Sequence, residues 1–257
     1  MPVEIVTVPC RRDNYAYLVR DTASGTVALV DAPEPAPIER ALSERGWSLD
    51  QIWITHHHDD HTAAVPALRA GARVIGNTED RARLPELDTE LAEGDSFAFG
   101  GTTVGIADVS GHTIGHIAFL IDGDGAEPGA AFTADSLMAL GCGRVFEGTM
   151  PMMWASLSKL AALPDETRIY SGHNYGAANG RFALSVEPES AALQARVAAI
   201  AEADKAGRPI VPASLAEEKA TNPFLRAGDP AVKAAMGMTS ADPAEVFAEL
   251  RARKDSF

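Results

Sequence analysis

The feature that most restricts this chain is residues 52–61, Ile-Trp-Ile-Thr-His-His-His-Asp-Asp-His, where an apolar run ends directly in four histidines and two aspartates. Ile52, Trp53 and Ile54 read as a strand. The loop that follows is pre-positioned by that strand. If it stays extended, His56 and His58 project to one side and His57 projects away, because side chains alternate with period two. As the backbone turns into a helix, Asp60 and His61 are presented to a neighbouring point. One short loop can therefore serve two adjacent ions. Imidazole nitrogens and carboxylate oxygens suit zinc, manganese or ferrous iron, and without thiolates the site should be catalytic, keeping water bound, rather than a closed structural one. The plain alternative is a polar helix start in which Asp is common and the histidines are incidental. The density of ligand-type residues behind an apolar strand weighs against it.

Three other segments end in a ligand-type residue at a strand terminus: residues 109–113 with His112, 131–136 with Asp135 and 169–173 with His173. Alone, a glycine-flanked histidine reads as a turn residue and Asp135 as a helix cap. Beside the 55–61 cluster they complete a candidate set of His56, His58, Asp60, His61, His112, Asp135 and His173. His116, at the start of a strand, reads as a supporting residue and not as a ligand.

Up to about Tyr175, short β-branched runs at 3–8, 15–19, 27–30, 52–54, 73–75, 103–106, 117–121 and 169–170 read as strands. Segments 36–45, 63–70 and 154–163 read as helices packed on the sheets. The glycines at 100–101 and 122–125 fit hairpin connections. The sum is an α/β layered domain. Beyond Tyr175 the composition shifts to Ala, Glu, Lys and Arg. Leu193, Val197 and Ile200 mark one helix face that stops near Gly207 and Pro209. Ser214 with Glu217 resembles a capping box, and Asp229-Pro230 and Asp242-Pro243 each offer an N-cap followed by proline. The expected division is 1–174 for the metal-binding domain and 175–257 for a smaller helical one.

The 257 residues, 46% hydrophobic, can bury a full core. A formal charge of −14, from 22 Lys and Arg against 36 Asp and Glu, argues against nucleic-acid partners. It also requires a local basic cluster for any anionic substrate. Residues 1–10 lack the basic and apolar segments of a secretory signal, and no run is long enough to span a bilayer. Cys10 and Cys142 make no disulfide framework. A cytoplasmic, non-membrane monomer is the expectation.

Thr55 to His61 match T-H-x-H-x-D-H, followed downstream by His, Asp and His, and so the chain resembles the metallo-β-lactamase superfamily. Within it, nearly the whole length is similar to the glyoxalase II (hydroxyacylglutathione hydrolase) family. The similarity is carried by residues 13–15, 17–19, 132–137, 141–148, 172–175, 219–226 and 251–257. The Gly-Cys-Gly-Arg, Asn-Pro-Phe-Leu-Arg and terminal Arg-Lys-Asp segments narrow it to that family.

The resemblance implies an αββα sandwich with a helical carboxy-terminal domain over the substrate. It implies two metal ions, with His56, His58 and His112 on one, Asp60, His61 and His173 on the other, and Asp135 bridging. Glutathione recognition maps to Arg144, Phe146, Tyr175, Arg251 and Lys254. Many relatives have tyrosine where Phe146 stands, and a Gly-Gly-Asn where this chain continues Thr62-Ala63-Ala64, which changes the helix start.

The implied reaction is hydrolysis of S-lactoylglutathione to glutathione and D-lactate, the second step of methylglyoxal detoxification. A hydroxide bridging the metals, its pKa lowered from about 16 towards about 7, would attack while Asp60 and Asp135 orient it. Arg251, Arg253 and Lys254 also fit a bland role, offsetting the dipole at a helix end. A glutathione persulfide dioxygenase of the same superfamily and a non-catalytic metal-binding member are the competing readings.

Overall fold

The computed structural model describes residues 3–257, so Met1 and Pro2, at the head of the stretch read for a secretory signal, lie outside the described residues. The first half runs β1 Val3–Cys10, β2 Asn14–Asp21, β3 Val27–Val30, α1 Pro35–Arg45, β4 Gln51–Trp53, α2 Asp59–Thr62, α3 Val65–Leu68, β5 Arg73–Asn77, β6 Thr89–Leu91, β7 Ser96–Phe99 and β8 Thr102–Asp108. Then come β9 Ile117–Ile121, β10 Ala130–Ala134, β11 Leu137–Met138, β12 Gly141–Cys142, α4 Met150–Ala161 and β13 Arg168–Ser171. The last part is α5 Gly176–Val186, α6 Ala191–Lys205, β14 Ala213–Ser214, α7 Leu215–Thr221, α8 Pro230–Met236 and α9 Pro243–Ser256.

Two six-stranded sheets form, in the orders β1-β2-β3-β4-β5-β6 and β14-β13-β10-β9-β8-β7, with β11 and β12 as a separate pair. Strand alternation decides which layer each side chain enters. In β2 to β4, Tyr17, Val19, Val30 and Trp53 face the inter-sheet core with Phe99, Phe119 and Phe132, while Leu18, Leu29 and Ile52 pack with Ile38 and Leu42 of α1. On the far side, Ala118 and Ala131 pack against Met153 and Leu157 of α4 and against Phe182, Val232 and Phe247 of the last helices. The layers are therefore helix, sheet, sheet, helix. The carboxy-terminal helices share one core with the second sheet. That region is helical apart from β14, which extends the second sheet by pairing with β13.

Several local signals act as their chemistry dictates. Gly46 ends α1 at φ 63, and Asp229 caps α8 through the Ala231 N–H. The Glu245 carboxylate accepts from the Asp242 N–H at 3.0 Å, closing the box at the start of α9. At α7 only half of the expected box forms. Ser214 Oγ accepts from the Glu217 N–H, but the Glu217 carboxylate pairs with Arg196 at 2.9 Å instead of turning back. Of the helix expected over 63–70 only the short α3, Val65–Leu68, forms, and α2 precedes it over Asp59–Thr62. The Ala64 N–H donates to the Ala32 carbonyl, and the Ala32 N–H to that of His61, so this backbone is tied to the β3–α1 loop. The helix expected over 154–163 begins earlier, because Thr149 caps it by accepting from the Met152 N–H.

The sheets are joined at one end. The Ile117 N–H bonds the Thr55 carbonyl at 3.0 Å, the Tyr15 N–H bonds the Gly172 carbonyl at 2.8 Å, and the Asn174 N–H bonds the Asp13 carbonyl at 2.7 Å. These seams bring the loops after β4, β8, β10 and β13 to one edge.

Candidate metal centre and cleft

Three groups of side chains at that edge have their ligand atoms within 4.8 Å of one another: His56, His58 and His112; Asp60, His61 and His173; and His56, His61 and Asp135. Asp135 stands between the first two. Its Oδ2 lies 3.3 Å from both His112 Nε2 and His173 Nε2, and its Oδ1 lies 3.5 Å from His61 Nε2. Asp60 Oδ2 is 3.2 Å from His173 Nε2. All seven candidate ligands are thus brought together, and His57 and Asp59 are directed elsewhere. Asp59 pairs with Arg11 at 2.8 Å.

Four of the five candidate rings, all but His58, are aimed by a partner on their other nitrogen, which favours the tautomer that leaves a lone pair for a metal. His61 Nδ1 lies 2.7 Å from Asp31 Oδ2, and His173 Nδ1 lies 2.9 Å from Asp13 Oδ1. His112 Nδ1 lies 2.8 Å from the Arg144 carbonyl, and His56 Nδ1 lies 3.0 Å from Thr55 Oγ1. Thr55 donates in turn to Asp31, so a single buried carboxylate braces both ligand sets. Asn14 Nδ2 donates to Asp60 Oδ2 at 2.9 Å. No local spacing marks Asp31, Asp13 or Asn14 as site residues; the one signal in the sequence is an acidic residue at a strand end, as Asp31 is after β3.

The backbone here is held in sparsely populated conformations, with Asp31 at φ 56 and Ala134 at φ 40. Glycine is required where the loops meet, since a Cβ at Gly172 would run into Asp135 Oδ1.

Burial opposes charge on Asp135, yet His61, His173 and His112 outweigh it and hold the carboxyl well below its usual range. Burial, followed by the neighbouring His61, His116 and His112, keeps His56 well below the ordinary imidazole value, the neutral form that ligates. The decisive observation for a metal is Asp135 Oδ1, buried with no hydrogen-bond partner among the described residues. An acceptor left bare among imidazole nitrogens fits a cation. The donors, imidazole and carboxylate without thiolate, are those of an open divalent metal centre. His116 stacks on His56 at 4.6 Å, and its Nε2 accepts from the Asp135 N–H at 3.3 Å, so that lone pair is already used. It braces His56, a candidate ligand, through the stacked rings.

The centre floors a cleft of about 430 Å³, and Arg144, Phe146, Tyr175, Arg251 and Lys254 all line it. Their situations differ. Arg251 is buried and fastened, donating to the Cys142 carbonyl and to Asp255, both at 2.9 Å. Arg144 shares Asp255 at 3.1 Å. Lys254 lies over the Phe182 ring at 5.9 Å and makes no ion pair among the described residues. Tyr175 stacks on His173 at 4.7 Å, and Phe146 is 60% exposed beside His112. Arg253 faces away, binding Glu249 and the Met236 carbonyl.

Carboxy-terminal side chains hold the cleft's β11–β12 wall. Asn222 donates to the Met138 and Gly141 carbonyls, Asn179 donates to that of Ala139, and Glu218 accepts from the Leu140 N–H.

Residues 11–173 match the metallo-beta-lactamase superfamily, and residues 174–257 match the family described as hydroxyacylglutathione hydrolase C-terminus. The chain is 60% identical to the hydroxyacylglutathione hydrolase of Ruegeria pomeroyi, covering 100% of both chains. It is 52% identical to that of a Jannaschia species, over 99% of this chain and 98% of the other. Among solved structures, ETHE1 from Myxococcus xanthus aligns with a TM-score of 0.65 at 25% identity, over 100% of this chain and 99% of that one. TTHA1623 in a di-iron-bound form aligns at 0.60 and 26% identity, over 86% of this chain and 100% of that one.

Proposed function

The chain belongs to the hydroxyacylglutathione hydrolase family of the metallo-beta-lactamase superfamily, and from that premise we propose how its own residues carry the hydrolysis of a 2-hydroxyacyl glutathione thioester. The products are glutathione and a 2-hydroxy acid.

Two divalent ions, one on His56, His58 and His112 and one on Asp60, His61 and His173, with Asp135 shared, would supply a Lewis acid for the thioester carbonyl and acidify a water for the attack. Zinc is the first choice, and the same donors accept iron or manganese. Around that chemistry, Asp60 and Asp135 orient the attacking water, whose proton passes to solvent. Asn14 holds Asp60 in place by donating to its Oδ2. The leaving thiolate, far less basic than an alkoxide, departs without a dedicated acid.

Residues 175–257 act as the recognition unit together with Arg144. Glutathione carries two carboxylates, and in a chain of net charge −14 the cations of the cleft must attract them. Lys254 and Arg144 do so directly, while Arg251, fastened to Cys142 and Asp255, shapes the wall and adds its charge. Tyr175 and Phe146 flank the centre with apolar faces. Phe146 presents a ring and no hydroxyl to the substrate at this point of the cleft. We take the enzyme as a cytoplasmic monomer acting on a small molecule. Among the described residues no helix is long and apolar enough to cross a membrane.

The observation that carries this reading is the pair of ligand sets sharing Asp135 at the floor of a cleft lined with cations. The test is S-lactoylglutathione hydrolysis by the purified protein, followed by thiol release, with metal content measured on the same sample. Stoichiometric metal with no thioester turnover would refute it. Oxygen uptake on glutathione persulfide would point to the dioxygenase class instead.

A further inference from the structure

His57, the one histidine of the 55–61 loop that the ligand sets leave out, opens onto a second cluster beside the cleft. Its Nδ1 lies 2.9 Å from Asp80 Oδ2 and its Nε2 lies 3.4 Å from Glu147 Oε1. Arg83 completes the ring. Its Nε meets Asp80 Oδ1 at 2.5 Å, one terminal nitrogen meets Glu147 Oε1 at 2.6 Å, and the other donates to the Ile114 carbonyl at 2.7 Å. The second Glu147 oxygen accepts from the Ile114 N–H at 2.9 Å.

One guanidinium therefore joins three segments: the turn after β5, the β8–β9 loop that bears His112, and the 143–148 loop that bears Arg144 and Phe146. An isolated surface ion pair contributes little. This one differs, because the Asp80 carboxylate is fully buried and the Arg83 nitrogens are engaged in a fixed fork. Asp80 is seated by its turn, where Asn77 accepts from the Glu79 N–H and donates to the Gly115 carbonyl at 2.9 Å. Glu147 directly follows Phe146, whose ring lies 5.3 Å from His112 and carries the Arg144 guanidinium at 5.9 Å. The inner end of the same loop is held separately, by the Phe146 and Gly148 N–H groups on the His112 and Gly111 carbonyls, each at 3.2 Å. Release of the side-chain ring leaves that hinge and the His112 contact to the Arg144 carbonyl in place.

We propose that Arg83 and Glu147 are positioning residues whose clasp sets the Arg144–Phe146 wall of the cleft, and so governs binding of the glutathionyl part of the substrate. The inference rests on the glutathione-thioester reading above. The clasp touches neither the reacting carbonyl nor a metal ligand atom, so its effect belongs in binding and not in turnover.

Two variants, Arg83→Met and Glu147→Gln, with their double, test this by steady-state kinetics on S-lactoylglutathione, metal analysis, and calorimetric binding of S-hexylglutathione. A weakened contact between a charged cleft group and the substrate costs about tenfold in affinity, so each single variant should raise KM and the S-hexylglutathione Kd about tenfold. With binding alone affected, kcat and metal content stay within about twofold of wild type. The double variant should be no worse than the worse single, because both changes open one clasp. Wild-type KM and Kd in both singles overturn the proposal. So does a loss of kcat or of metal with binding unchanged, or effects that multiply in the double. If circular dichroism shows Arg83→Met unfolded, the isosteric Glu147→Gln, which keeps an acceptor for the Ile114 N–H, carries the test. A wild type that binds S-hexylglutathione without hydrolysing the thioester sinks the hydrolase reading alone, and the Kd ratios still decide the clasp. A wild type that binds neither overturns both.

Discussion

Asp31→Asn keeps the volume of a buried side chain and removes one acceptor, which isolates its orienting role. Asp31 is 2% exposed and accepts three hydrogen bonds: from the Thr55 N–H at 2.9 Å, the Thr55 hydroxyl at 2.8 Å and His61 Nδ1 at 2.7 Å. An amide offers one oxygen. Either its NH₂ faces the His61 Nδ1–H, or it flips and faces the Thr55 N–H. In both cases a buried donor meets a donor. Leaving that group unsatisfied costs about 1–3 kcal/mol, and at about 1.4 kcal/mol per factor of ten this is roughly 5- to 150-fold. On the His61 side the ring escapes by taking its other tautomer, which protonates Nε2 and withdraws the lone pair from the Asp60–His61–His173 set. The expected result is a metal dissociation constant raised about 10- to 100-fold for one of the two ions. The value of kcat/KM falls at limiting zinc and recovers partly in excess zinc. A competition titration against a chromophoric chelator measures the affinity, and circular dichroism shows that the variant is folded. Unchanged affinity for both ions in a folded variant would refute the claim that Asp31 orients the ligands.

Lys254→Ala should raise KM for S-lactoylglutathione about tenfold or more with little change in kcat, since it removes a charged contact remote from the carbonyl; an unchanged KM removes Lys254 from the recognition set. Asp135→Ala should abolish two-metal occupancy and most activity, read by elemental analysis beside kinetics, and full activity with two bound ions would contradict its shared position. Burial pushes the Cys142 thiol up to about 11 despite the nearby Arg251, and the Cys10 thiol up to about 12. At pH 8 only about one Cys142 in a thousand is thiolate, so iodoacetamide should label the native protein slowly and the denatured protein fast. Rapid native labelling would contradict the burial of these thiols.

Much of the fold is legible along the chain because its signals are local. The alternation in 15–19 and 27–30 separates Tyr17, Val19 and Val30 from Leu18 and Leu29, and the sheets sort those side chains into opposite layers. Asp229-Pro230 and Asp242-Pro243 start helices for reasons contained within four residues. The short strands β6 and β14 carry no such pattern. Each has two or three residues, and β14 exists because β13 presents an open edge to residues more than forty positions later. The helix expected over 63–70 shrinks to Val65–Leu68, and its entry is tied from outside by the Ala64 N–H on the distant Ala32 carbonyl, a contact no local pattern encodes.

The seven ligand-type residues and their tie to buried strands were determined by the sequence itself. Residue chemistry and period-two geometry need no knowledge of the rest of the chain to put His56 and His58 on one side and His57 on the other. Tertiary structure alone decided what aims those ligands. His61 is braced by Asp31, 30 residues away, and His173 by Asp13, 160 residues away. Contacts at such separations leave no spacing to read. The same holds for the cations: Arg251 and Lys254 look alike in the sequence, and only the packing of α9 against β12 fastens the first to Cys142 and leaves the second over an aromatic ring at the cleft. Side-chain chemistry is inherited from the sequence, but a direction in space exists only once the loops of two sheets meet at one edge.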